Sequence, residues 1–275
     1  MEQQTQKRRR RRRLVVVVVV VVLVVVVLAL GLGLGLGLTH GRSSGGIKDT
    51  FLKRCQKFND LNCQNVWDAF QRAYINRDPC TITTDAYDPF IEAVSFKSQC
   101  NRGLLWSKTK EVAHSFTQKR DCLVTLEDTP LGAILNDLTW CGKQGSDETF
   151  TSGCPGYSAC DNNTVRSYWK RASAAFADTA CGDVSVMLSG SIQTPFDPNS
   201  IFASIEVKRL RSPKVRRLNV VLVMEKNAVT NCTNGSLKNL QNVLDAGIGY
   251  GCKEVTRDQI DKCSSDPEIA CGACW

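Results

Sequence analysis

The chain has 275 residues, 14 cysteines, two histidines and a formal net charge of +8. That charge is concentrated: Lys7 and Arg8 to Arg13 against Glu2 give +6 over residues 1–13, while the other 262 residues carry 28 basic and 26 acidic side chains. This distribution excludes a basic nucleic-acid-binding domain, 43% hydrophobic residues argue against disorder, and His40 and His114 are too few for a histidine-built metal site.

In chain order, the basic tail comes first. Residues 14–38, a valine-rich run followed by GLGLGLGL, contain no charge. As a helix they would extend roughly 37 Å, enough for a bilayer core of about 30 Å. Valine is a poor helix former in water, but a backbone in lipid has to bond to itself. The run exceeds the about 7–15 apolar residues of a signal peptide, and no A-x-A site follows, so it reads as an uncleaved transmembrane signal-anchor. The preceding basic run keeps 1–13 in the cytoplasm, which makes the chain a single-pass type II membrane protein with its C-terminal part at the cell surface. Gly31 and Gly35, like Gly33 and Gly37, have the spacing that lets two anchors pack as a homodimer; low-complexity drift under hydrophobic selection is the better explanation of them. Residues 39–46 (THGRSSGG) are a polar stalk, and 47–275 form the extracellular domain.

The first half of that domain has helical spacing: Ile47 to Phe58, Asn65 to Tyr74, a helix opened by Asp88-Pro89, Lys110 to Phe116, Pro130 to Leu138, and Asn163 to Ala177. The second half changes period. Val184 to Leu188, Ala203 to Val207 and Leu218 to Met224 are β-branched runs that read as strands; Ser236 to Leu244 is an amphipathic helix and Gly251 to Val255 a further strand. The fold class is mixed α/β, with a mainly helical lobe packed on a lobe holding a small parallel sheet flanked by helices.

All fourteen cysteines lie beyond the anchor, and an even number outside the cell reads as a disulfide framework. Cys271-Gly-Ala-Cys274 has the spacing of a redox motif, but on an extracellular C-terminus structural bonding is the better reading. Sequons at Asn162, Asn231 and Asn234 point to glycosylation, with Asn231 crowded by Cys232.

No G-x-S-x-G elbow and no H-E-x-x-H is present. His114, alone in KEVAHSF, reads as a packing or surface residue rather than a general base. What remains is acidic and aromatic. Glu127 and Asp128 in TLEDT precede an apolar helix, where acids also serve simply to offset its dipole. Glu206, in the strand-like ASIEV, reads from pattern alone as an acid on a solvated face. Trp106, Trp140 and Trp169 are core residues or an aromatic wall for a planar ligand.

TLEDT, then DLTWCG at 137–142, the YWK helix and SIEV, with NCQNVWDAF at 62–70 and LLWSKTKEVAHSFTQ at 104–118, resemble the ADP-ribosyl cyclase/cyclic ADP-ribose hydrolase family. The pattern is nearest to its type II, lymphocyte-surface ecto-NAD-glycohydrolase branch. The resemblance spans about Cys55 to Cys271. It implies an enzyme that cleaves the nicotinamide–ribose bond of NAD to give ADP-ribose and cyclic ADP-ribose, hydrolyses cyclic ADP-ribose, and feeds calcium signalling. NAD is then the substrate, with no separate cofactor and no metal. It implies Glu206 as the catalytic carboxylate. It implies Trp106 and Trp169 as walls for the bases, Glu127 against the nicotinamide, Asp128 and Asp137 as acids near it, and Ser107, Lys108 and Phe202 beside the ribose-phosphate chain. Pro130 stands where the family has leucine, Lys108 where it has arginine, and Ile201 where it has a hydroxyl residue. The resemblance also implies the bridges Cys55–Cys63, Cys80–Cys160, Cys100–Cys181, Cys141–Cys154, Cys232–Cys252 and Cys263–Cys271. Cys122 and Cys274 are left over, paired with each other or with one free or intermolecular. The stalk, sequons and bridges would equally suit a non-enzymatic surface receptor on the same scaffold, whose protein ligand the sequence does not name.

Overall fold

Asn62 illustrates how local chemistry sets the elements. Its side chain accepts from Asn65 N at 3.1 Å and opens a helix whose Val66, Trp67, Ala69 and Phe70 all face inward. In the computed structural model, which describes residues 45–94, 96–97 and 100–275, this is the second helix. The basic tail, the anchor and nearly all of the stalk lie outside the described residues, among which no helix is long and apolar enough to cross a membrane. The helices are α1 Gly45–Cys55, α2 Cys63–Arg72, α3 Asp88–Ala93, α4 Lys110–Lys119, α5 Pro130–Leu135, α6 Thr164–Thr179, α7 Gly235–Val243 and α8 Arg257–Ser265. The strands are β1 Leu104–Ser107, β2 Cys141–Lys143, β3 Ser146–Phe150, β4 Gly182–Ser189, β5 Val215–Met224 and β6 Gly249–Thr256.

Four strands form one parallel sheet in the order β1-β4-β5-β6, and β2 pairs antiparallel with β3. The mixed α/β expectation with a parallel sheet holds. Side-chain alternation gives the sheet two apolar faces. Val184, Val186, Leu188, Val220 and Leu222 join the main core with α1, α2, α3 and α6. Met187, Val221, Val223 and Val255 pack on the other face against Val112 and Phe116 of α4 and Ile260 of α8. The helical half is sealed by aromatic rings set edge to face. Phe70 meets Trp140 at 5.2 Å, and Tyr168 meets Tyr87 at 5.2 Å and Trp140 at 5.4 Å. Trp140 is fully buried and donates to the Tyr87 hydroxyl at 3.0 Å, so it belongs to the core and not to a ligand wall.

Ala203 to Val207 is not a strand. Phe202–Glu206 is a π-helical turn continued by a 3-10 turn at Val207–Arg209. A short apolar run has no period long enough to separate buried strand from buried helix. β1, the β2–β3 hairpin and α8 were not anticipated; four and three residues are too few for alternation to show in β1 and β2.

All fourteen cysteines are bridged. Cys55–Cys63, Cys80–Cys160, Cys100–Cys181, Cys141–Cys154 and Cys232–Cys252 form as expected. The expected Cys263–Cys271 pair does not. Cys263 pairs with Cys274, and Cys271 pairs with Cys122. The cause is the path after α8: a 3-10 turn at Cys271–Ala273 folds Cys274 back into the small core beside Cys263, leaving Cys271 to face Cys122. Arg120 fixes this path by donating to the carbonyls of Cys263, Asp266 and Ile269.

Candidate active site

A cavity of about 820 Å³ is lined by β1 and the residues after it, the turn at Leu126–Glu127, one stripe of α6, and the segment Asp197–Glu206. β1 delivers Trp106 and the buried Ser107. Lys108 then takes φ +61°, a left-handed conformation that turns the chain into α4 and keeps the lysine exposed at the rim.

The second wall is a 3-10 turn, Leu126–Asp128. Thr125 N and Oγ1 donate to Asp128 Oδ2 at 2.8 and 2.7 Å, a reciprocal cap that holds the turn. Asp128 therefore does not reach the cavity; its carboxylate is turned back on Thr125, as the helix-start reading of TLEDT allowed. α5 lies directly against this turn because it carries Gly132 there: a Cβ at that position would stand 2.4 Å from Leu126 O and 2.5 Å from Glu127 Cα. Glu127 Oε2 accepts from Trp106 Nε1 at 3.1 Å and lies 3.1 Å from His114 Nε2. Burial pushes this carboxyl up, but the adjacent His114 and its charge, with the Trp106 indole, more than offset it and hold it below the usual glutamate range.

The third wall is α6, started by Asn163, whose Oδ1 accepts from Val165 N and Arg166 N at 3.0 Å each. Arg166, Trp169, Lys170, Ser173 and Phe176 recur at helical spacing and line the cavity as one stripe. Opposite, Ser200 Oγ accepts from Ala203 N at 3.1 Å and opens the π-helical turn, which carries Phe202 and ends on Glu206. π-turns inside helices are frequent at functional sites. Glu206 is 7% exposed, so the solvated-face reading fails. Burial pushes its carboxyl up to about 8; the Ser173 hydroxyl bonded to it opposes this and the charge of Glu127 adds to it.

At the mouth, Asp137 also adopts a left-handed φ of +59° and pairs with Lys110 at 2.7 Å, a contact that holds its carboxyl below the usual range. Lys108, Lys110, Arg166 and Lys170 make the rim cationic, while among the described residues Glu206 is the buried cavity-lining acid and Glu127 a half-buried one. Such a site suits an elongated ligand with a cationic aromatic ring at one end and phosphates along its length.

A family model described as ADP-ribosyl cyclase matches residues 44–272. The chain belongs to the ADP-ribosyl cyclase family. It is 36% identical to ADP-ribosyl cyclase/cyclic ADP-ribose hydrolase 1 of Mus musculus, over 81% of this chain and 77% of that protein. It is 31% identical to ADP-ribosyl cyclase/cyclic ADP-ribose hydrolase 2 of Homo sapiens, over 76% and 70%. Among solved structures it resembles porcine CD38 in complex with a covalent intermediate, with a TM-score of 0.72 and 35% identity over 79% of this chain and 99% of that one. It also resembles Aplysia cyclase with substrate NGD and product cGDPR, with a TM-score of 0.71 and 26% identity over 81% and 94%.

Of the residues that the family resemblance singled out, Glu206, Glu127, Trp106, Trp169, Ser107, Lys108, Phe202 and Asp137 all line this same cavity of the cyclase-family chain, and Asp128 does not. Sequence reasoning missed Ser173, Arg166 and Lys170, although their three- and four-residue offsets from Trp169 were a readable signal. It also missed His114 and Gly132, whose roles depend on which segment lies opposite them.

Proposed function

We propose that the chain is an ecto-NAD glycohydrolase and ADP-ribosyl cyclase that converts NAD to nicotinamide, ADP-ribose and cyclic ADP-ribose and hydrolyses cyclic ADP-ribose. The observation that carries the reading is one cavity lined by the two carboxylates Glu206 and Glu127 together with Trp106 and Trp169, in a family whose named relatives perform these reactions. The bond to break joins the ribose anomeric carbon to the pyridinium nitrogen. Its electron pair leaves with the nitrogen, so nicotinamide departs neutral and needs no general acid, unlike the alkoxide leaving group of an ordinary glycoside.

Glu206 is held for the opposite demand. Burial disfavours its charge and pushes the carboxyl up to about 8. A docked pyridinium cation draws it into the ionised form, and the developing oxocarbenium ion interacts with that carboxylate in a low-dielectric surrounding. Trp106 and Trp169 stack on the bases and limit water. Ser107, Lys108 and Phe202 border the ribose-phosphate chain, where lysine supplies charge without the fork of an arginine. Water adding to the cation, with loss of a proton, gives ADP-ribose. Attack by an adenine ring nitrogen forms the new C–N bond of cyclic ADP-ribose.

The reading extends to location. Seven disulfides with no thiol left over favour an oxidising compartment, and they accord with a type II anchor in residues 14–38 and a cell-surface catalytic domain. Asn162 and Asn231 are exposed and suit glycans. Asn234 suits one less, since its side chain caps α7 through Ser236 N and donates to Gln193 O. Anchor pairing into a homodimer and a link to calcium signalling belong to the same proposal. The test is the full chain incubated with NAD beside a Glu206→Gln variant of equal expression, with nicotinamide, ADP-ribose and cyclic ADP-ribose all measured. Release by the parent and none by the variant is expected. Equal release by both overturns the role of Glu206, and none by the parent favours the receptor reading.

A further inference from the structure

Behind the cavity wall stands a residue that does not line it. His114 lies on α4 with a side chain 13% exposed, and its Nε2 is 3.1 Å from Glu127 Oε2. Its ring stands edge-on to Trp106, with centroids 5.7 Å apart and planes at 89°. Trp106 Nε1 donates to the same Oε2 at 3.1 Å. His114 is the one ion-pair partner of Glu127 among the described residues. The three side chains form a closed unit in which the two parts that line the cavity, Glu127 and Trp106, are both held by the part that does not.

Trp106 supplies Glu127 with a hydrogen bond but no charge. A buried carboxylate without a cationic or strong donor partner takes up a proton and loses its fixed orientation. α4 is itself held from behind: Phe116 packs on Trp275 at 4.9 Å, and Arg120 ties the helix end to the C-terminal segment. His114 is therefore carried on a rigid support rather than on a loop.

We propose that His114 is the positioning residue for Glu127, pinning its carboxylate beside Trp106 as a fixed acceptor for the amide N–H donors of the substrate's leaving heterocycle. The assignment rests on the NAD reading above. Glu127 lies close enough for its charge to act on Glu206, so it neighbours the ring that leaves from a carbon held at Glu206. An orphaned or protonated Glu127 would still fill the wall but would no longer select a carboxamide.

The experiment compares kcat/KM for NAD with that for its 3-acetylpyridine analogue, which lacks the amide N–H. His114→Ala is expected to lower kcat/KM for NAD by about tenfold, the scale of one oriented amide–carboxylate hydrogen bond lost to the substrate, and to change the analogue less than about twofold. In a Glu127→Gln background the same substitution should add less than about twofold, because the residue it acts through is already altered. His114→Gln, which restores an N–H donor, should recover most of the NAD activity. A His114→Ala protein that matches the parent on NAD overturns the assignment. So does one that loses both substrates equally, or one whose loss is undiminished in the Glu127→Gln background. If His114→Ala does not fold, His114→Leu, which fills the space without offering a donor or a charge, is carried through the same cycle and decides by the same criteria. A parent chain that releases no nicotinamide at all overturns the NAD reading itself and is distinguishable from any of these.

Discussion

Glu206 and Glu127 face one cavity from two short helical turns, the first buried and the second half-buried, and their carboxyls are driven in opposite directions. Glu206 ends a π-helical turn with only the Ser173 hydroxyl to oppose burial, and is pushed up to about 8. Glu127 has His114 and Trp106 on one oxygen, and is held below the usual range. Residue type is shared and burial raises both, so the difference in direction lies chiefly in partners. A carboxyl left without a cation can switch its charge when a cation arrives, and one already paired keeps a constant charge that shapes the site.

The largest expected effect breaks the pair by role. Glu206→Gln should lower kcat/KM for NAD by at least about a thousandfold, as loss of charge aimed at a transition state does, while Glu127→Gln should cost nearer tenfold and shift the ratio of cyclic to linear product. Chromatography of the products gives both numbers, and equal losses would show that the two acids act as one unit.

Next in size is the support behind the Glu127 wall. Replacing Cys122 and Cys271 together by serine removes a bridge across a separation of 149 residues and should cost about 2–4 kcal/mol in denaturant unfolding. Mass mapping under non-reducing conditions should show Cys122–Cys271 and Cys263–Cys274. Gly132→Ala, whose methyl would press on Leu126 O and Glu127 Cα, should cost about 1–3 kcal/mol and displace Glu127, lowering turnover out of proportion to any change at Glu206.

The smallest effect is the most specific. The acid limb of kcat/KM should lie near pH 8, with activity rising as Glu206 ionises, and the limb of kcat should lie lower because bound pyridinium favours the ionised form. In Glu127→Gln the limb of kcat/KM should move down by a fraction of a pH unit, since a charge that disfavours ionisation of Glu206 is gone. Stability follows with opposite signs. The raised Glu206 contributes stability at acid pH that is lost as pH rises through about 8, so Glu206→Gln should melt higher than the parent at pH 8 and equally at pH 4. The lowered Glu127 contributes stability above the ordinary glutamate range that is lost as pH falls.

Much of this site was legible in the sequence, for uneven reasons. The helices carrying Trp67 and Trp169 announced themselves by period, and β4 and β5 by β-branched runs. Glu206 was found through the family motif although its local conformation was misread, because SIE within five residues has no distinguishing period. Asp128 was carried along with Glu127 by adjacency, and neighbours on a tight turn need not point the same way. Cys263 was given the partner nearest in a family pattern, but the extra Cys122 and Cys274 changed which sulfurs meet.

The sequence by itself determined the chemical inventory: a basic tail before an uncharged apolar run, an even set of cysteines, tryptophans and acids without a metal-binding set, and the family those motifs belong to. Only the tertiary structure decided what that inventory does in place. It put His114 against Glu127, let α5 close on the turn at Gly132, turned Asp128 away and rearranged the last two bridges. The physical reason is range. Composition and periodicity act along the chain, whereas burial, ionisation and bridging depend on what a fold brings together from distant segments.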